Sequence, residues 1–416
     1  MRQLIFSPLA SIGSQNFIYD HIADRWSLDE DAVNRLFCAV ANAGATGIRV
    51  IPYNPWNAHP YGLKSQFQPY ALNADCTAFN LGAFNGWYFP IVRKYIEIAK
   101  KYGMTAWFAL GDNCQFAGDY KKWSPWSSNT QGIGTFYESK AWPFVKAWFE
   151  KCLAEFAGLG VCWAWGNETN DPRMVDLVKT AILPVIRAKG LDLKNMAYGA
   201  TMKEVDYKPM PEGWVPTPQQ PRWDYYPGMA GTLDWLKKLV GDTLGDDAKF
   251  AIWKEVHSIG GKGYPKIPNR LHQALYWWAR PKNNGIRIWL SNDGVFDGNS
   301  TCDIEGVKRR PSAERMAEIV KSTLVYANDF TYEHLPKTRD LACITATLRA
   351  MYKAVYGKDP VEKYHYDPPV PPEPPEPPTP PPVDCKCSYW LEKGGDGKRD
   401  WTRWFKCLFG GEKRCK

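Results

Sequence analysis

Histidine is scarce, 6 in 416 residues, and neither a His-x-His pair nor an HExxH motif occurs. That removes the usual helical zinc-hydrolase signature and argues against a metal-dependent barrel hydrolase. No stretch approaches about 18 uncharged apolar residues, which excludes a membrane-spanning helix read from sequence. The first residues, Met-Arg-Gln-Leu-Ile-Phe-Ser-Pro, carry an early charge but no apolar core and no small-residue cleavage site. Either a leader has been removed or export takes another route. No run of five basic residues exists, and the formal net charge of +8 is mild for this length. Nucleic acid is therefore an unforced partner, whereas an anionic polysaccharide stays open. The 11 cysteines contain no CxxC. Seven are scattered (Cys38, Cys76, Cys114, Cys152, Cys162, Cys302, Cys343), an odd number that predicts at least one free thiol and no zinc site.

Aromatic residues are abundant: 20 Trp, 22 Tyr and 18 Phe. Such side chains suit stacking on the apolar faces of sugars, or else a Trp-rich core. The length allows one large domain with an appendage, or two or three ordinary domains. Composition places the boundary. From Pro368 to Pro382, 11 of 15 positions are proline, interrupted by Val370, Glu373, Glu376 and Thr379. This predicts a polyproline II linker over 368–383, at about 3.1 Å per residue roughly 45 Å long. Residues 384–416 follow with four cysteines (Cys385, Cys387, Cys407, Cys415) and Trp390, Trp401 and Trp404. So small a module cannot be held by its core alone, and two disulfides are expected, with four thiolates around zinc as the rival. The expected role is contact with a polysaccharide or cell surface. A disulfide-bonded tail would place the protein extracellularly, or otherwise outside a reducing cytosol.

Residues 1–367 alternate short apolar runs with amphipathic stretches. Strands are expected at Gln3–Ser7, 47–52, 104–110, 161–165, 196–201, 222–226, 250–253 and 286–290. Helices are expected at 28–43, 88–102, 142–157, 173–188, 230–241, 268–279 and 312–327, and residues 203–222 read as a long loop. Ser27 followed by Glu30 has the form of a capping box, and Pro172 suits a helix start. The fold class is thus α/β, and the repeat predicts a (β/α)8 TIM barrel rather than a doubly wound sheet, since no Gly-rich phosphate turn follows the first strand.

In a barrel the residues that do chemistry stand at the carboxyl ends of strands. Two of these segments hold a glutamate: Trp163-Ala164-Trp165-Gly166-Asn167-Glu168 on the fourth, and Ala251-Ile252-Trp253-Lys254-Glu255 on the seventh. A pair of carboxyl groups at a barrel mouth is what glycoside hydrolysis needs, one protonated to assist the leaving group and one ionised. Taken singly, either glutamate could instead pair with a lysine or cap the next helix.

Asn167-Glu168 after the fourth strand and Glu255 after the seventh resemble the signature of the clan A glycoside hydrolases, the retaining group that includes the family 5 cellulases and mannanases. The resemblance implies that Glu168 is the acid/base and Glu255 the nucleophile, with a covalent glycosyl-enzyme intermediate and no cofactor or metal. It implies further that Arg49 keeps the nucleophile ionised, that Asn167 donates to the sugar 2-hydroxyl, that Tyr226 hydrogen-bonds the nucleophile, and that Trp289 stacks on sugar. The third strand lacks the family's histidine, and Asp224 stands where another is usual, so the resemblance is to a divergent member. Trp56 and Trp126, in the segments after the second and third strands, are expected to rim the cleft. The expected activity is endo-cleavage of a β-linked polysaccharide. The other reading is a non-catalytic carbohydrate-binding or structural protein on a degenerate barrel.

Overall fold

The computed structural model describes residues 2–6, 17–50, 62–111, 124–164, 173–191, 196–201, 216–219, 251–255, 287–292, 324–326 and 357–369, with single helical residues between 321 and 356. In the strands 2–6, 196–201, 216–219, 251–255, 287–292 and 324–326 the description is of the backbone. The chain divides into two compact units, Met1–Asp367 and Pro368–Lys416.

In chain order the strands are β1 Arg2–Phe6, β2 Phe17–Asp20, β3 Arg25–Leu28, β4 Gly47–Val50, β5 Tyr70–Leu72, β6 Phe79–Phe84, β7 Thr105–Ala109, β8 Cys162–Ala164, β9 Met196–Thr201, β10 Pro216–Gln219, β11 Ala251–Glu255, β12 Arg287–Asn292 and β13 Leu324–Tyr326. The helices are α1 Glu30–Asn42, α2 Tyr88–Lys101, α3 Trp142–Phe156, α4 Arg173–Leu177 and α5 Leu183–Lys189. Eight strands close a barrel in the order β1-β12-β11-β10-β9-β8-β7-β4. Every pairing round it is parallel.

Alternation along the strands separates two layers. Phe108 of β7 meets Trp148 and Phe156 of α3 and Trp163 of β8 at centroid distances of 6.2, 5.3 and 5.6 Å, so its face of the strand looks toward the helices. Ile48, Val50 and Ala106 join it in a core shared with Phe37 and Val40 of α1 and Val92, Tyr95, Ile96 and Ala99 of α2. Trp107, one residue from Phe108 and 1% exposed, therefore belongs to the barrel interior.

Differences from the sequence expectations have local causes. Ser27 lies within β3, and the cap of α1 is Asp29, whose carboxylate accepts the Ala32 amide at 3.0 Å. The helix expected over 173–188 is interrupted by a π-helical turn, Val178–Ile182, before α5. Pro184 has no amide to donate and its ring crowds the carbonyl four residues back, at Thr180, so the turn widens there. The sixth barrel strand is β10, inside the stretch read as a loop, and residues 222–226 lie outside the described residues. The helical pattern of 312–327 ends in a strand instead, β13, which pairs with β2. The expected helices at 230–241 and 268–279 and residues 370–416 also lie outside the described residues.

Beyond the barrel, β13, β2 and β3 form an antiparallel sheet, and β5 and β6 a hairpin. In the first, Phe17 and Tyr19 are buried and their neighbours Ile18 and Asp20 are less so, the alternation of a strand with one covered face. Among the described residues, no helix is long and apolar enough to cross a membrane.

Candidate active site

Arg49 is the third residue of the four-residue strand β4 and is only 7% exposed. Its register partner on β7 is Trp107, and that of Trp107 on β8 is Cys162. Phe108 faces the helices, so these alternate positions line the interior, and Arg49 is a buried cation near the barrel's carboxyl-terminal end.

The ladder carries that alternation round the barrel. Gly47 pairs with Ile5, Ile5 with Ser291, and Ser291 with Glu255. Arg49 is two residues beyond Gly47, so Glu255, the last residue of β11, occupies a backbone position in the same alternating set. Trp289 belongs to this set as well, paired with Trp253 on one side and Gln3 on the other. Asn167, Glu168, Trp56 and Tyr226 lie outside the described residues.

Trp126 departs from its expected place on an open rim. It is 5% exposed, with its ring 5.5 Å from Tyr70 and 6.1 Å from Phe136. Its packing partners come from two segments that follow barrel strands, the one after β4 and the one after β7. These segments are bound together: the Phe79 amide donates to the Ser128 carbonyl at 2.8 Å, the Thr130 amide donates to the Phe79 carbonyl at 2.9 Å, and the Gln131 side chain accepts the Leu81 amide at 3.1 Å while donating to Asn80 at 2.9 Å. They make one wall on the carboxyl-terminal side of the barrel.

That wall contains buried polar residues that sequence reasoning passed over: Ser65, Gln66, Gln68 and Ser124, each at most 2% exposed. Among the described residues, neither side-chain atom of the Gln68 amide nor the Tyr70 hydroxyl has a hydrogen-bond partner. Burial pushes the Tyr70 hydroxyl well above its usual pKa, and nearby Cys152 adds to the shift. The available signal was the alternation Gln66-Phe67-Gln68-Pro69-Tyr70, which marks an extended segment but not which side is covered. Among the described residues no group of three or more His, Cys, Asp or Glu side chains is gathered as metal ligands.

No family model matches the chain, and neither does any curated protein. Solved structures similar to it include the broad-specificity endoglucanase from Bacteroides salanitronis, 14% identical with a TM-score of 0.44 and covering 85% of this chain and 93% of that one. The endo-β-1,4-mannanase from Thermotoga petrophila is 12% identical at a TM-score of 0.45, covering 85% and 78%. The endo-1,4-β-mannanase from Rhizomucor miehei is 11% identical at 0.42, covering 67% and 89%.

Proposed function

We propose that the chain is a retaining glycoside hydrolase that cleaves a β-linked polysaccharide internally. One observation carries the reading: Glu255 ends the seventh strand of a closed parallel barrel, in the same alternating register set as the buried Arg49. Carboxyl ends of barrel strands are where such folds place their chemistry. A guanidinium on the same interior face lowers the cost of an ionised carboxylate by charge and bidentate hydrogen bonding.

In this proposal Glu255 is the nucleophile. Glu168, four residues past the end of β8, is the acid that protonates the departing glycosidic oxygen and then the base that activates water. Asn167 donates to the sugar 2-hydroxyl, and Tyr226, Trp56 and Trp289 contribute to holding the nucleophile and the sugar. Trp126, being covered, is left out of the sugar-binding set. Retention requires the two carboxyl groups about 5–5.5 Å apart. The C-terminal unit is proposed as a polysaccharide or surface anchor that works outside a reducing cytosol.

The test is reducing-sugar release from β-glucans, mannans, xylans and chitin-type polymers by wild type, Glu168→Gln and Glu255→Gln. Release by wild type, with losses of about 10²–10⁴-fold in both variants, supports the two-carboxylate mechanism. NMR of the first-formed anomer then separates retention from inversion. Folded protein that binds a polymer but releases no sugar would replace this reading with a binding protein on a degenerate barrel.

A further inference from the structure

The final described stretch of the barrel unit runs along α1, from its last residue to its first turn, and past the end of α2. Asn42, the last residue of α1, accepts the amides of Lys363 and Tyr364 at 2.9 and 3.0 Å and donates to the Tyr364 carbonyl at 2.8 Å. A single side chain thereby satisfies three backbone groups of an extended segment. The Tyr366 hydroxyl donates to Asp31 at 2.8 Å, and the Tyr364 ring stands edge-on to Tyr102 at 5.6 Å. The Lys101 ammonium lies 5.1 Å from the Tyr102 ring and 5.6 Å from that of Tyr366. Along the segment Tyr364 and Tyr366 are half-buried while Lys363, His365 and Asp367 are exposed, the alternation of a strand-like ribbon laid on a surface.

Two glycines are shaped to receive this end of the unit. Gly44, at φ +102°, sits between α1 and β4, and a Cβ there would collide with the Tyr352 ring. Gly103, at φ +69°, sits between α2 and β7, and a Cβ there would collide with the Tyr364 hydroxyl. Both turns precede barrel strands, so they belong to the face opposite the strand carboxyl ends.

We infer that residues 359–367 form a clasp that fastens the end of the barrel unit along α1, from its last residue, Asn42, to Asp31 in its first turn, and against the end of α2, covering Cys38. The contacts are mostly local to one side chain or one ring each, and together they join the unit's last residues to its first helix.

Cys38 reports on the clasp. The residue is 9% exposed, and Asn42 Nδ2 lies 3.7 Å from its Sγ while also holding Tyr364. Burial raises its pKa, Lys101 opposes the rise, and Glu362 of the clasp adds to it. Cys152, on the buried face of α3, is fully covered and serves as the internal control. The experiment labels the full chain with N-ethylmaleimide and measures each cysteine's rate by peptide mass spectrometry, for wild type and for Tyr364→Ala/Tyr366→Ala. Labelling of Cys38 is expected to become roughly tenfold faster with Cys152 unchanged, and trypsin should cut newly after Lys358 and Lys363. Tyr366→Phe, which removes only the bond to Asp31, should give a smaller acceleration of the same kind. Cys38 labelling no faster than in wild type, or Cys38 and Cys152 accelerating together, would overturn the clasp. Labelling reads the clasp whether or not any glycan is cleaved.

Discussion

Asn34 shows how one buried amide can join two helices. At 9% exposure it donates to the Glu30 carbonyl at 2.7 Å within α1, while its oxygen accepts Lys101 Nζ at 3.1 Å and the Tyr102 hydroxyl at 3.0 Å from the end of α2. Asn34→Leu would strand the tyrosine hydroxyl against an apolar neighbour. The expected loss is about 1–3 kcal/mol in denaturant unfolding, and Tyr102→Phe in the same background should recover part of it. Glu155 sets a pH dependence. Lys151 at 2.7 Å, and secondarily Arg93 at 3.0 Å, hold its carboxyl below the ordinary value of 4.5 despite some opposing desolvation. A depressed folded pKa contributes stability above that ordinary value and loses it as pH falls through the folded one. The Tm difference between wild type and Glu155→Gln should therefore shrink from pH 6 toward pH 3 in calorimetry; a constant difference would show that the carboxylate's charge is not what matters. Residues of this kind are hard to read from sequence because beside a near partner each has one more than 60 positions away, Lys101 and Tyr102 for Asn34 and Arg93 for Glu155. The position of Arg49 on a strand was legible because β4 is a short apolar run. The covering of Trp126 was not, since it depends on how two distant segments pack.

At the scale of elements, seven of the barrel strands could be read from short apolar runs bounded by turn residues, and their register follows from the closed ladder. The sixth, Pro216–Gln219, escaped because two of its four residues are prolines, which ordinarily mark loops. The added β2–β3 and β5–β6 hairpins escaped for a different reason: each is a few residues long and is held by contacts with segments remote in sequence. The two clasp glycines offer a test at this scale. Gly160 has φ +75° with nothing within 4 Å of an added Cβ, so Gly160→Ala measures backbone strain alone. That strain is about 1–2 kcal/mol. Gly44→Ala and Gly103→Ala incur the same strain and also displace Tyr352 or Tyr364. Their loss in chemical denaturation should exceed that of Gly160→Ala by about 1 kcal/mol or more. Equal losses at all three positions would mean that the tyrosines give way freely.

For the whole molecule, the division at Asp367 and Pro368 separates a barrel with its own core from a small C-terminal unit. The composition change at Pro368 made a boundary there readable in sequence; the hold of the preceding ribbon on α1 and α2 was not, because Asn42 and Tyr364 are 322 positions apart. This organisation distinguishes two truncations. A chain ending at Asp367 retains the Asn42, Asp31 and Tyr102 contacts, and its barrel should melt within about 1 °C of the full chain, since a ΔΔG near zero moves Tm little. A chain ending at Gly357 loses all of them and should melt several degrees lower, with Cys38 open to labelling. On the proposed function the first truncation also separates chemistry from anchoring. It should cleave short soluble oligosaccharides at the full-length rate, because every residue assigned to the mouth is retained. On an insoluble polymer at low enzyme concentration it should act at least tenfold more slowly, the order expected when a tethered second contact no longer raises effective concentration. If the shortened barrel degrades insoluble polymer as fast as the full chain, the C-terminal unit has some role other than anchoring to that substrate, and the barrel's mouth alone supplies the affinity.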